Sequence, residues 1–304
     1  MIERGYDADT ARHSVVRALL PVLHYPAEIW RHRYLLQNFF RRELLGRFRG
    51  SALGIVWVLI HPLFLFAIYY FVFGWVFGRP ATGTAPSPAF ALYLFSGVLA
   101  FTSFGEGLIR SCTCVVDNGN LVKKVAFPSE LLPVPPILVG LTVYLVGAAV
   151  CLCTGLIYGV LQPDWTLLLL PVVLLLQFLM TLGLGLFLAN CNVFARDTSH
   201  LWGILQTAWM FLTPVFWYPH QIPGEIGDSL RAAFQWNPAY SLIQAHRIVL
   251  GARDFELREG GTAIAVSFGG LGEHLLACAL WALGLLALGY GVFMSRRHRY
   301  ADLV

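Results

Sequence analysis

Residues 167–189 read L-L-L-L-P-V-V-L-L-L-Q-F-L-M-T-L-G-L-G-L-F-L-A without one charged side chain. About 20 apolar residues in a helix cross the hydrocarbon core of a bilayer, so a run of this kind is a membrane span. Five further runs follow the same rule, at 55–77, 90–114, 131–160, 201–218 and 274–294. Composition agrees: 57% of the chain is hydrophobic and 12% charged, against about 45–50% and about 25% in soluble domains. The expected fold class is therefore all-α, a polytopic membrane protein with six transmembrane helices. It forms one domain, 28–304, behind an N-terminal arm at 1–27. No signal-peptide pattern precedes 55–77, which is expected to act as its own insertion signal.

Several spans carry local marks. Pro62 inside the first removes a backbone donor and predicts a kink. Pro133, Pro135 and Pro136 open the third, where proline is tolerated. Gly155 and Gly159 have small-xxx-small spacing and predict a close helix contact. Glu106 and Arg110 sit four apart in the second span and can pair. At that depth they are expected to face protein or a cavity.

The polar segments carry the functional signal. The stretch V-V-D-N-G-N-L-V-K-K-V-A-F-P-S-E at 115–130 holds both lysines of the chain, Lys123 and Lys124. A turn signal at Asp117, Asn118, Gly119 and Asn120 precedes Leu121 and Val122. It reads as a short helix lying on one membrane face, or as an ordinary basic loop. Residues 28–49 place Ile29, Leu36, Phe40 and Leu44 at helical spacing, with Trp30, Tyr34, Phe39 and Leu45 beside them. Arg31, Arg33, Arg41, Arg42, Arg47 and Arg49 supply the charged surface. This is the pattern of a basic amphipathic helix lying among lipid head groups. Between 219 and 272 the chain is half-polar. Residues 229–250 read as two short re-entrant helices broken at Asn237-Pro238, or as a plain loop. Nine arginines precede the first span, and Lys123, Lys124, Arg196, Arg296, Arg297 and Arg299 lie on the same side. The positive-inside rule then puts both termini and the Lys123 segment in the cytosol.

The phosphate-cradling pattern G-x-x-x-x-G-K-[ST] is missing, as are zinc-type histidine spacings and nucleophile motifs. No catalytic or metal-ligating residue is assigned. The six cysteines read as buried small hydrophobes. The formal charge of +4 suits anionic lipid and cytosolic partners rather than nucleic acid. A membrane conduit without its own motor is expected to use a separate ATPase.

Five pieces in order sharpen this: R-R-E-L-L-G-R-F-R-G-S-A-L-G-I-V-W-V-L-I-H-P at 41–62, N-G-N-L-V-K-K-V-A-F-P-S-E-L-L-P at 118–133, N-V-F-A-R-D at 192–197, T-P-V-F-W-Y-P at 213–219 and W-N-P-A-Y at 236–240. Together they resemble the permease subunits of type-2 ABC exporters for bacterial polysaccharides such as O-antigen, capsule and teichoic acid. The resemblance implies a homodimer in the inner membrane with two copies of a cytosolic ABC ATPase, which holds the ATP and Mg; this chain carries no cofactor. It makes 28–45, with Trp30, Tyr34, Phe40, Arg41 and Arg42, the interface helix. It makes Asn118, Gly119, Asn120, Leu121, Val122, Lys123, Lys124 and Phe127 the ATPase-coupling helix. It places the re-entrant helices at the outer leaflet and a lipid-linked polysaccharide in a channel between protomers. Trp57, Tyr69, Tyr70, Trp217 and Tyr218 are the channel candidates, because aromatic faces stack on sugar rings. The same residues also suit the aromatic belt of a membrane interface. Another cargo, a drug or a lipid, fits the same architecture. An integral membrane glycosyltransferase would call for paired Asp or a His-Asp set at the membrane surface, which the chain lacks.

Overall fold

The computed structural model describes residues 25–76, 88–124, 128–217, 229, 233–234, 236–252, 254–259 and 262–304. Two short helices come first, α1 (Tyr25–Arg31) and α2 (Arg33–Gly46), separated at His32. The long helices are α3 (Trp57–Tyr69), α4 (Pro88–Asp117), α6 (Val134–Ile157), α7 (Leu170–Phe194), α8 (Thr198–Leu212) and α10 (Leu271–Arg296). Between them lie the short α5 (Gly119–Lys124), α9 (Pro238–Val249) and the terminal α11 (Tyr300–Leu303). The fold is all-α apart from a hairpin, in which β1 (Phe255–Glu259) pairs antiparallel with β2 (Thr262–Val266).

Among the described residues five helical segments are long and apolar enough to cross a membrane: Gly54–Val72, Ala91–Asp117, Ser129–Ile157, Trp165–Phe194 and Leu271–Leu303. The fifth expected run, 201–218, holds α8. At 15 residues it is about 22 Å long, short of a ~30 Å core. It stops where the backbone turns extended at Thr213 before Pro214, because proline disfavours a helical residue ahead of it.

The core forms around α4 and α7. The hydrophobic window of α4 is 78% buried, that of α3 only 17%. Helix α3 therefore leaves Leu59, Leu63, Phe64 and Ile68 open, and α8 leaves Leu201, Ile204, Leu205, Phe211 and Leu212 open. The closest helix contact is α7 on α10, where a Cβ on Gly289 would overlap the backbone of Gly183. The expected contact through Gly155 and Gly159 does not form. Helix α6 ends at Ile157, Gly159 takes φ +65° in the turn that follows, and Gly155 meets Leu161 of the same turn. Tyr25, expected with the arm, is 3% exposed. It stacks edge-on against Tyr290 at 5.2 Å, so the folded domain reaches back at least to that residue.

Candidate functional site: a charged platform and an inserted helix

The end of the bundle that carries Tyr25 and Val304 is a platform built on α2. This helix lies against the foot of α6, with Leu36 buried among Leu131, Val134 and Ile137. Trp30 at the end of α1 is 70% exposed and Tyr34 at the start of α2 68%. Arg33 stacks over both rings, and Arg42 stacks over Phe39 at 4.7 Å. Phe40 is half-buried, while Arg41 and Arg42 are exposed. The expected single helix over 28–45 is thus two helices that meet at His32, whose ring bonds the Glu28 carbonyl at 3.0 Å.

Four charges join this platform to the second long helix. Arg110 pairs with Glu43 at 2.7 Å and with Glu106 at 3.4 Å, and Arg47 reaches Glu106 at 2.9 Å. The i, i+4 pair expected from the sequence forms, and it faces protein, namely α2 and the turn after it. Burial holds the Arg47 guanidinium below the usual arginine range, against the opposing pull of Glu106.

The candidate coupling residues sit on the same platform. Helix α5 follows a turn at Asn118, whose Nδ2 donates to the Cys114 carbonyl at 2.8 Å. Arg42 donates to Asn118 Oδ1 at 3.2 Å, tying α2 to the start of α5. Asn120 and Lys123 are exposed, Leu121 and Val122 half-buried. Val122 packs on the core. Lys124 ends the helix, and Phe127 lies outside the described residues. A cleft of about 250 Å³ between α2, α4 and the start of α6 is lined by Arg42, Glu43, Arg110, Asp117 and Asn118. Beyond α5 the chain is pinned again at Glu130. Arg297 pairs with its carboxylate at 3.3 Å. The Tyr25 hydroxyl donates to its carbonyl at 2.7 Å. Burial, then Glu130, pushes the Tyr25 phenol well above its usual range.

At the opposite end α9 is inserted into the bundle. Asn237 caps it by accepting from Ala239 N–H at 3.0 Å, and Pro238 takes the first helical position, where its missing donor does no harm. The break expected at Asn237-Pro238 is this cap. Of the preceding segment only residues 229, 233, 234 and 236 are described. Arg247, 1% exposed, donates to the carbonyls of Tyr93 (3.1 Å), Val215 (3.2 Å) and Pro214 (3.4 Å) and to Gln244 Oε1 (3.3 Å). Its guanidinium lies 3.5 Å from the Tyr93 ring centroid. A Cβ on Gly97 would strike that guanidinium, so glycine makes its room. One residue back, His246 Nε2 meets Gln177 Oε1 at 2.7 Å, and Gln177 Nε2 donates to Ser103 Oγ at 3.1 Å. The sequence registers Arg247 and His246 only as polar interruptions. A local signal for Arg247 is present in Thr213-Pro214, which ends α8 and leaves carbonyls without helical donors.

The channel candidates do not form one cluster within the chain. Trp57 opens α3 and bonds Ser51 Oγ at 2.9 Å. Tyr69 and Tyr70 lie at its other end, about 20 Å along the axis. Tyr70 stacks on Tyr158 at 5.6 Å. Trp217 donates to the Phe211 carbonyl at 3.0 Å and meets Phe234 edge-on at 5.3 Å. Tyr218 lies outside the described residues.

The profile of the family described as ABC-2 type transporter matches residues 34–250. An O-antigen export system permease protein RfbA of Myxococcus xanthus is 30% identical over 277 residues, covering 91% of this chain and 98% of that protein. A protein of the same name from Klebsiella pneumoniae is 23% identical over 271 residues, covering 89% and 95%.

Proposed function

The chain belongs to the ABC-2 type transporter family, and from that premise we propose that it is the transmembrane subunit of an ATP-driven exporter of lipid-linked polysaccharide of the O-antigen class. The observation that carries this reading is the near full-length similarity to relatives named for O-antigen export. The working unit is a homodimer in the inner membrane with two copies of a separate cytosolic ATPase, which binds ATP and Mg. The open apolar faces of α3 and α8 suit contact with a second copy, lipid and cargo. The aromatics Trp57, Tyr69, Tyr70, Trp217 and Tyr218 give a glycan stacking faces along that path. Capsule and teichoic acid remain within the same cargo class.

The platform end faces the cytosol, since it carries Arg31, Arg33, Arg41, Arg42, Lys123, Arg196 and Arg296. Helix α5 receives the push of the ATPase. Its ties through Asn118, to Arg42 of α2 and to the Cys114 carbonyl of α4, pass that push to the interface helix and the second span. An isolated helix of six residues is unstable in water, so α5 acts only as part of the braced platform.

Reconstitution tests this. Purified alone, the chain hydrolyses no ATP; with its ATPase in proteoliposomes it moves lipid-linked glycan across the bilayer in an ATP-dependent manner. ATP turnover by the isolated chain, or a complex that moves a drug and no glycan, overturns the reading. Charge reversal at Lys123 and Lys124 (Lys123→Glu, Lys124→Glu) weakens ATPase binding by about tenfold, as expected for loss of two rim charges worth roughly 0.5–1 kcal/mol each. Unchanged co-purification removes α5 from the docking site.

A further inference from the structure

We infer that the last turn of the chain, residues 300–304, is a strut that joins α5 to the 190–197 segment and makes the two a single docking surface for the ATPase. This rests on the coupling role proposed for α5 and extends it to a part of the chain that neither the sequence motifs nor the matched family region, residues 34–250, includes.

The strut is anchored at one end by Tyr300. This side chain is fully buried. Its ring meets Phe293 edge-on at 5.0 Å and Phe194 at 6.4 Å. Its hydroxyl donates to Asn190 Oδ1 at 3.1 Å, which fixes the turn to the foot of α7. Arg196, just past α7, donates to the Leu303 carbonyl at 3.0 Å. At the other end Val304 packs on Gly119, so closely that a Cβ on that glycine would overlap the valine methyl. Val304 and Val122 border the same core cluster. Two loops far apart in sequence, at 118–124 and 190–197, are therefore bridged by side chains from a third segment.

The bridge has a mechanical consequence. Helix α5 is too short to hold itself, and among the described residues it packs on this turn and the foot of α4. A force on α5 reaches α7 and α10 through Val304 and Tyr300. The surface around the strut has an apolar centre and more basic than acidic groups, with Asp117, Asp197 and Asp302 the exposed acids there among the described residues. Leu303 and Phe194 are open, Arg296 lies over Phe194 at 5.5 Å, and Arg196, Arg299 and Lys123 are exposed. An ATPase face with an apolar contact ringed by carboxylates complements it.

The test uses the full permease–ATPase complex in proteoliposomes with three variants. Deletion of 301–304 keeps the Tyr300 anchor, Tyr300→Phe removes only the hydroxyl, and Gly119→Cys with Val304→Cys allows α5 to be locked to the strut. Deletion is expected to lower transport-coupled ATP turnover about fivefold or more, the scale of a modest coupling energy, while the thermal midpoint of the membrane domain holds. Tyr300→Phe gives a smaller loss of the same kind. The double-cysteine protein turns over ATP equally fast oxidised and reduced, because the joined elements already move together. Unchanged turnover on deletion, or turnover lost on oxidation and restored by reduction, overturns the strut. Lys123→Glu separates the two proposals. Weakened docking there with no effect of deletion removes the strut and leaves the coupling role of α5. No effect of either variant removes both.

Discussion

Arg110 and Arg247 are both arginines at helix-packed positions, at opposite ends of the bundle, and their partners differ in kind. Arg110 is half-exposed and meets two carboxylates, Glu43 and Glu106. Arg247 is buried, and its terminal nitrogens donate to three main-chain carbonyls and an amide oxygen, with the Tyr93 ring beneath the guanidinium. The first arrangement is adjustable. Water screens the charges, and the pairs can reform as α2 and α5 shift under load. The second is rigid, because each carbonyl it satisfies belongs to backbone that has left its helix or to the first turns of α4. The proposed drive from the platform side would be served by that contrast: a yielding contact where force would enter, a fixed one at the far end.

The largest expected effect breaks the fixed end. Arg247→Met keeps the length of the side chain and takes a charged donor from the carbonyls of Tyr93, Pro214 and Val215; the first keeps Ser96 Oγ and the second the Tyr93 hydroxyl, so the loss falls hardest on Val215. Hydrogen bonds to a charged donor contribute about 1.5–3 kcal/mol each but not additively, so the loss is about 3 kcal/mol. Arg247→Lys does not rescue it, since one ammonium cannot span acceptors arranged for a planar fork. Thermal unfolding of the purified protein measures both. A shift near zero would mean that the end of α8 finds other donors, and the contrast between the two ends would fall.

These two ends also differ in how much of them could be read from the residues alone. Glu106 and Arg110 announce themselves by i, i+4 spacing, and the 115–130 stretch by the two lysines and a turn signal. Asn237-Pro238 reads as a break because a cap and a proline are local chemistry. What surrounds Arg247 is not local. Tyr93, Val215 and Arg247 come together only when α4, the end of α8 and α9 pack, and no periodicity encodes that. The glycines teach the same lesson. Gly155 and Gly159 have the right spacing for a helix contact, yet the helix ends between them. Gly183 and Gly289 make the contact with no shared motif. The helices α3 and α8 are legible as apolar, but which of their faces stay open is set only by how the chain packs. Tyr300 and Val304 lie beyond any motif, and only their positions under α5 reveal them.

A middle-sized effect probes the polar interior next to Arg247. Gln177 bridges His246 and Ser103, and Gln177→Leu removes both bonds while keeping the volume. Hydrogen bonds between helices in membranes average about 0.6 kcal/mol with a ceiling near 1.7 kcal/mol, so a loss of roughly 1 kcal/mol is expected. Gln177→Glu sharpens the comparison, because it buries a carboxylate whose neighbour, His246 at 2.7 Å, is an imidazole and not a fixed cation. Its loss should exceed that of Gln177→Leu in the same unfolding measurement. The reverse order would show that water reaches Gln177 and that this level of the bundle is no more fixed than the platform.

The smallest effect belongs to the yielding end. Glu43→Gln keeps an oxygen that can accept from Arg110 and removes only the charge. The pair is short, 2.7 Å, but its side chains are 31% and 40% exposed, and exposed ion pairs contribute about 0–1 kcal/mol. Arg110 also retains Glu106 at 3.4 Å, so its guanidinium is not left without a carboxylate. The expected loss is below about 1 kcal/mol, a shift of roughly 2 °C for a chain of this size. It should fade in 1 M salt, where the Debye length falls to about 3 Å, while the Arg247→Met loss should not change. The two variants measured side by side across a salt series therefore decide whether the ends differ in kind. If Glu43→Gln costs as much as Arg247→Met and the cost persists in high salt, the platform is as rigid as the inserted helix, and force entering at α5 would have to move the whole bundle at once.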